Sequence, residues 1–252
     1  NLLSELKHSS PRGKNMSVKR IWELDFLRGI ALFGMLYFHL IFDLNEFFDY
    51  PITYAHGFTH YAGKVSVILF ILVSGISCRF SRNNLRRGLQ LLGIALIITM
   101  LTHSVNYLGP RLIHQPLPNI GIKFGILHFF GVSILLYPVF KTINRYALAI
   151  LGSLIIGLGE LISARTFSHN YLFFLGMINE KFYSVDYYPL LPWLGVFLIG
   201  IVLGKFLYQE KKSLFPFTIR NSMINILGRN TLLIYLIHQP VLLLILFVCL
   251  HL

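Results

Sequence analysis

E-L-D-F-L-R-G-I-A-L-F-G-M-L-Y-F-H-L-I-F-D, residues 23–43, reads as a membrane-spanning helix that keeps four polar residues a plain anchor would not: Asp25, Arg28, His39 and Asp43. An α-helix turns about 100° per residue. Arg28 and His39, eleven residues apart, therefore share a face. Asp25 stands one turn before Arg28, and Asp43 one turn after His39, spacings that bring side chains together. One stripe thus reads Asp, Arg, then His, Asp, with Leu32 and Met35 between. The two pairs are separated by about 16 Å at roughly 1.5 Å of rise per residue. An ionisable side chain at the centre of a span costs about 2.5–3.5 kcal/mol. Two such pairs predict a face turned to a polar cavity rather than to lipid. The competing reading is that Asp25 and Arg28 lie at the interface and snorkel.

The rest of the chain agrees with a membrane setting. Of its 252 residues 55% are apolar and 13% charged, about half the charge of a soluble domain, and the mean hydropathy is +0.67. Phe (22) and Tyr (13) are abundant, as lipid-facing surfaces and interfacial belts require. The net charge of +12 suits basic loops better than nucleic acid, so no nucleic-acid partner is expected. Cys78 and Cys249 form no metal or redox motif, and no disulfide between them is expected. Residues 1–20 read as a polar, disordered extension. They lack the apolar centre of a secretory signal, and Met16 is a candidate natural start. Residues 21–252 form the membrane domain.

The fold class predicted is all-α: a polytopic helix bundle of about seven spans, near 24–44, 62–80, 89–107, 124–141, 146–165, 189–208 and 231–250, each close to the ~20 residues a bilayer requires. Sixteen of the 22 Lys and Arg fall on the side of the N-terminus and five on the other, with Arg28 inside the first span. The positive-inside rule puts the N-terminus in the cytoplasm. Asp43, Glu46, Asp49, Glu160, Glu180 and Asp186 fall on or near the opposite face.

His39 with Asp43 has the spacing of a base and the carboxylate that orients it; a histidine could also carry an acyl group covalently. The sequence does not separate these roles from a structural hydrogen bond. His56-x3-His60 would place two imidazoles on one helix face, but no glutamate accompanies them and Gly57 weakens a helix there, so no metal is expected. Arg28 and the basic turn Arg79, Arg82, Arg86 and Arg87 can bind phosphate, or simply set topology. His238, near the start of the last span, is grouped with this inner side. Gln239 and Pro240 follow it, and the proline, which removes one backbone hydrogen bond, is expected to kink the span and open polar backbone to a cavity. His128 is expected to face the bundle interior. The run from Asp186 to Trp193 suits a sugar-binding rim or an aromatic belt. No P-loop or dinucleotide fingerprint is present.

Several ordered stretches carry a resemblance: E-L-D-F-L-R-G-I-A at 23–31, F-H-L-I-F-D-L at 38–44, L-F-I-L-V-S-G-I-S at 69–77, G-I-L-H-F-F-G-V-S at 125–133, D-Y-Y-P-L-L-P-W-L-G-V-F-L-I-G at 186–200, and L-G-R-N-T-L-L-I-Y-L-I-H-Q-P at 227–240. Together they resemble the transmembrane acyltransferase superfamily, and within it the bacterial relatives of heparan-α-glucosaminide N-acetyltransferase. The resemblance implies a membrane enzyme that passes an acetyl group from cytoplasmic acetyl-CoA to an amine or hydroxyl of a saccharide across the membrane. It implies catalytic histidines either in the loop after the first span, where His56 and His60 stand, or at the histidine of R-x10-H, here His39 beside Asp43. The sequence leaves that choice open. Arg28, Arg86 and His238 are the expected acetyl-CoA ligands. His128, Asp186 and Trp193 are the expected acceptor ligands. The lysosomal enzyme's large luminal domain has no counterpart here, so an acceptor other than heparan is expected. The expected location is the inner or plasma membrane, with the bilayer as partner; a homodimer is left open. A transporter or flippase for a polar or lipid-linked solute is the competing reading, because it too needs intramembrane charge.

Overall fold

In a computed structural model, residues 21–115, 118–219 and 222–251 are described. The polar extension expected over 1–20 lies outside them. Eight helices make the architecture: α1 Trp22–Phe48, α2 Gly57–Ser77, α3 Asn84–Ile113, α4 Ile126–Phe140, α5 Arg145–Ser163, α6 Leu190–Leu207, α7 Met223–Arg229 and α8 Thr231–His251. A 3₁₀ turn at Phe173–Leu175 interrupts the long α5–α6 connection. Every expected span coincides with a helix, and no strand occurs among the described residues. Among the described residues six helices are long and apolar enough to cross a membrane, and the protein is a polytopic helical membrane bundle.

The exception among the seven expected spans is α4, with 15 residues. At 1.5 Å per residue it covers about 22 Å of a ~30 Å hydrocarbon core. A non-helical segment, residues 118–125, leads into it. Its backbone groups are bonded by the stretch before α6: Val185 N–H donates to Gly121, and Tyr188 N–H to Phe124. Non-helical backbone within a membrane protein needs such internal partners.

Helix starts follow ordinary capping chemistry. Asn83, Asn144 and Ser222 each accept a backbone N–H from the first turn of α3, α5 and α7. Polar caps at these points explain why the helices begin where the apolar runs do.

α2 and α6 form the centre of the bundle. α6 packs on α2, α4 and α5, α2 also packs on α1, and α3 packs on α4. Ile71, Phe129, Leu148, Phe197 and Leu198 fill the shared core. The α2–α6 crossing is close because glycines meet there: a Cβ on Gly75 would lie 2.5 Å from the Phe197 carbonyl oxygen, and one on Gly200 2.5 Å from that of Leu72. Small residues let membrane helices approach where apolar burial alone gives no drive against lipid.

α7 and α8 pack against α1. A Cβ on Gly228 would overlap the Asp25 carbonyl oxygen at 1.7 Å, so α7 can lie on α1 only with glycine there. The connection before α7 folds over the start of α1. Glu23 accepts from the Leu214 N–H at 2.8 Å and the Ser213 hydroxyl at 2.9 Å, and the Trp22 indole N–H donates to the Phe217 carbonyl.

Candidate functional site

The polar stripe of α1 meets two separate sets of partners. At the Trp22 end, Asp25 is buried. Its Oδ1 accepts from Arg28 Nη1 at 2.7 Å, and its Oδ2 lies 3.7 Å from Arg229 Nε of α7. Arg28 Nη2 donates to the Ser77 hydroxyl of α2 at 2.5 Å. One carboxylate and two guanidiniums therefore join three helices. The Asp25 carboxylate is enclosed and bonded across helices, so it does not snorkel to solvent.

Toward the Phe48 end, α1 meets α8. The His39 and His238 rings stand edge to face, with centroids 4.8 Å apart. Asp43 is fully buried, and its Oδ1 accepts from Gln239 Nε2 at 2.5 Å. His238 Nδ1 lies 2.6 Å from the Tyr235 carbonyl oxygen. A carbonyl can only accept, so Nδ1 carries the proton. Four enclosed atoms of this cluster have no hydrogen-bond partner among the described residues: His39 Nδ1, Asp43 Oδ2, His238 Nε2 and Gln239 Oε1. Buried polar atoms are normally bonded, and four exceptions on two adjoining turns mark a place built to receive a polar group. Pro240 has no N–H, so the Leu236 carbonyl lacks its helical donor beside the same cluster.

A second line of contacts joins this cluster to the α5–α6 connection. The Tyr235 ring lies 5.4 Å from that of His238, and its hydroxyl donates to Asp186 Oδ2 at 3.2 Å. The same oxygen accepts the Ile126 N–H at the start of α4, 2.9 Å away. Burial pushes the Asp186 carboxyl up to about 6, and the bonds from Ile126 and Tyr235 restrain the rise. Tyr235→Phe removes one donor to this carboxylate. The expected result is a loss of about 1.5 kcal/mol, seen as a melting point lower by about 5 °C in detergent, with the carboxyl pushed further up.

The expected site residues are thus sorted by position. His39, Asp43 and His238 come together, and Asp186 is tied to them through Tyr235. His238 does not join Arg28, which lies about 16 Å away along α1 at ~1.5 Å per residue. It packs on His39 because α8 meets α1 at that level. Arg86 is exposed in the first turn of α3. His128 is buried, with both ring nitrogens engaged: Gly125 N–H donates to Nδ1 at 3.2 Å, and Nε2 lies 3.2 Å from the Thr99 hydroxyl. Trp193 packs on Tyr188, ring centroids 5.4 Å apart. His56 is the exposed residue before α2, with extended backbone, so it does not share a helix face with His60. Among the described residues neither has a hydrogen bond or ring contact with His39 or His238, and no group of three His, Cys, Asp or Glu could hold a metal.

The loop bearing His56 nevertheless borders α1. The Tyr54 ring sits 4.9 Å from Phe42, and its hydroxyl donates to Glu46 at 2.7 Å. That bond, burial and the Glu46 charge hold the Tyr54 proton up to about 12. Sequence reasoning missed Gln239 and Tyr235 as site residues. Only the i, i+3 and i+4 spacing of Tyr235, His238 and Gln239 on one helix face was available to find them.

A polytopic helical membrane protein with a polar cluster enclosed between its first and last long helices is the class these features define. Residues 20–240 match the family model described as heparan-alpha-glucosaminide N-acetyltransferase, catalytic, and the chain belongs to that family. Neither a curated protein nor a solved structure matches it. The family match makes the protein a membrane acetyltransferase in its general class.

Proposed function

We propose that the protein takes an acetyl group from acetyl-CoA on the cytoplasmic face and transfers it to an amine of a saccharide on the opposite face, in the inner or plasma membrane. The observation that carries this reading is the chemistry of the enclosed atoms. Asp43 Oδ2 and Gln239 Oε1 can only accept, since Gln239 has turned its amide nitrogen to Asp43. His238 Nε2 is also an acceptor, because its proton sits on Nδ1. Three acceptors match a group rich in N–H donors. An amine brings two or three, a hydroxyl one. The Asp43 carboxylate also favours a group that arrives as a cation.

The stripe on α1 links the two faces. Arg28 and Arg229 share the single carboxylate of Asp25, so this trio carries one net positive charge. With Arg86 they are suited to the phosphates of CoA. The thioester would extend along α1 toward His39. The saccharide would approach past the loop that carries Tyr54, His56 and His60, with Trp193 and Asp186 at its far edge and His128 bracing the start of α4. Holding donor and acceptor on one wall converts a two-body reaction into a positioned one.

Proteoliposomes with acetyl-CoA sealed inside and glucosamine outside test the reading. The expected result is N-acetylglucosamine outside, dependent on internal acetyl-CoA and absent from protein-free vesicles. Transport of either compound without acetyl transfer would overturn it.

A further inference from the structure

We propose, on the strength of the acetyl-transfer reading above, that the general base of the reaction is His238 on α8, rather than His39 on α1. The two histidines are neighbours, but their hydrogen bonds differ. His238 Nδ1 donates to the Tyr235 carbonyl oxygen of its own helix at 2.6 Å. That bond locks the neutral tautomer with the proton on Nδ1, so the lone pair is on Nε2. Nε2 is enclosed and has no partner. It is therefore a proton acceptor already formed and already aimed before any ligand arrives. His39 has no such lock. Among the described residues its Nδ1 is enclosed without a hydrogen bond, and its ring makes edge contacts to Phe38, Phe42 and His238. Nothing selects which of its nitrogens carries the proton.

The groups against His238 are His39 from α1, Tyr235 from its own helix and, through the Tyr235 hydroxyl, Asp186 before α6, while Asp43 of α1 bonds the neighbouring Gln239. Gln239, the next residue, holds Asp43 by its amide N–H and so fixes the carboxylate on the residue that follows the base. The division of labour follows. The amine nitrogen forms a bond to the acetyl carbonyl carbon, and the carbon–sulfur bond breaks. His238 Nε2 takes the proton the nitrogen releases and passes it to the CoA thiolate, which leaves as the thiol. The nucleophile is the neutral amine, so one N–H remains after this transfer, and Asp43 Oδ2 or Gln239 Oε1 holds it. His39, free to choose its tautomer, lies against the reacting carbonyl.

Two substitutions separate a base from a brace. Asparagine at 238 can keep a donor near the Nδ1 position and so keep the bond to Tyr235, while it removes the lone pair at Nε2. Glutamine reaches the Nε2 position but has no comparable basicity. With acetyl-CoA and glucosamine as probes, the expected result is a fall in kcat of about 10²-fold or more for both His238→Asn and His238→Gln. The KM for acetyl-CoA is expected to stay within about twofold, and the fall of kcat/KM at low pH is expected to disappear in both. His39→Asn is expected to slow the reaction and keep that low-pH fall. Nitrogen-15 NMR of imidazole-labelled wild type in detergent is expected to show His238 protonated on Nδ1, a readout independent of turnover and of how the variants fold. His238→Asn active within threefold of wild type with its low-pH fall intact, or His238 protonated on Nε2 in the wild type, would overturn the assignment. A wild type that moves no acetyl group from acetyl-CoA to glucosamine would overturn the proposed function itself, and the role of His238 as base with it.

Discussion

Asp25→Ala is expected to destabilise the protein by about 3 kcal/mol, seen as a melting point lower by on the order of 10 °C. The carboxylate is buried and stands between Arg28 of α1 and Arg229 of α7. Removing one partner of a buried ion pair costs about 3–5 kcal/mol, because the remaining charge has lost its compensation. Both guanidiniums retain some exposure, 23% and 32% of their side chains, which moves the expected cost to the lower end of that range. Two effects add to it. The guanidiniums now face each other without an anion between them. The Arg28–Ser77 bond also loses the contact that aims Arg28 at α2. Asp25→Ala/Arg229→Ala removes one of the two guanidiniums that shared Asp25 and is expected to recover part of the loss. Thermal unfolding of the single and double variants, followed by size-exclusion fluorescence, checks both. An Asp25→Ala protein that melts with the wild type would show that the joint between α1, α2 and α7 carries little of the stability.

How far these features could be read beforehand depended on how local they are. The α1 stripe was legible because period and polarity lie in one segment, and helix geometry alone puts Asp25 beside Arg28 and His39 near Asp43. Apolar runs likewise announced seven of the eight helices, α4 being shorter than a full span. α7 was not legible. Its seven residues are too few for a hydrophobic period, and its place depends on Gly228 fitting against Asp25 from 203 positions away. The depth of His238 was misjudged for a related reason. Counting from the basic residues before α8 put it with the inner charges, whereas the level of contact with α1 brings it to His39. The Asp43–Gln239 bond spans 196 positions and leaves no local trace at all. His128 shows the converse: its burial was foreseen, yet Gly125 and Thr99 occupy both its nitrogens.

Asp43→Asn is expected to lower kcat/KM by about 10²-fold while the protein remains folded. The two side chains have the same shape, so packing survives. Hydrogen-bond polarity does not. Gln239 offers an N–H to this residue, and the asparagine will turn its oxygen toward that donor. Its amide nitrogen then takes the position of Oδ2, the atom that faces the site without a partner. An acceptor becomes a donor, and a negative charge is lost. An incoming amine then meets an N–H where it needs a lone pair. A hydrogen bond to a charged group contributes about 1.5–3 kcal/mol, and each 1.4 kcal/mol is about tenfold in kcat/KM. A mainly structural Asp43 predicts something different: an isosteric change that alters the melting point and leaves turnover nearly intact. Asp43→Asn/Gln239→Glu makes the distinction sharper, because it moves the carboxylate from α1 to α8 and reverses the bond between them. Partial recovery of kcat/KM in that double variant, over Asp43→Asn alone, would mean that the site needs an anionic acceptor facing it and tolerates either helix as its source. No recovery, with Asp43→Asn as active as wild type, would remove Asp43 from the reaction and leave it as a buried tie between α1 and α8.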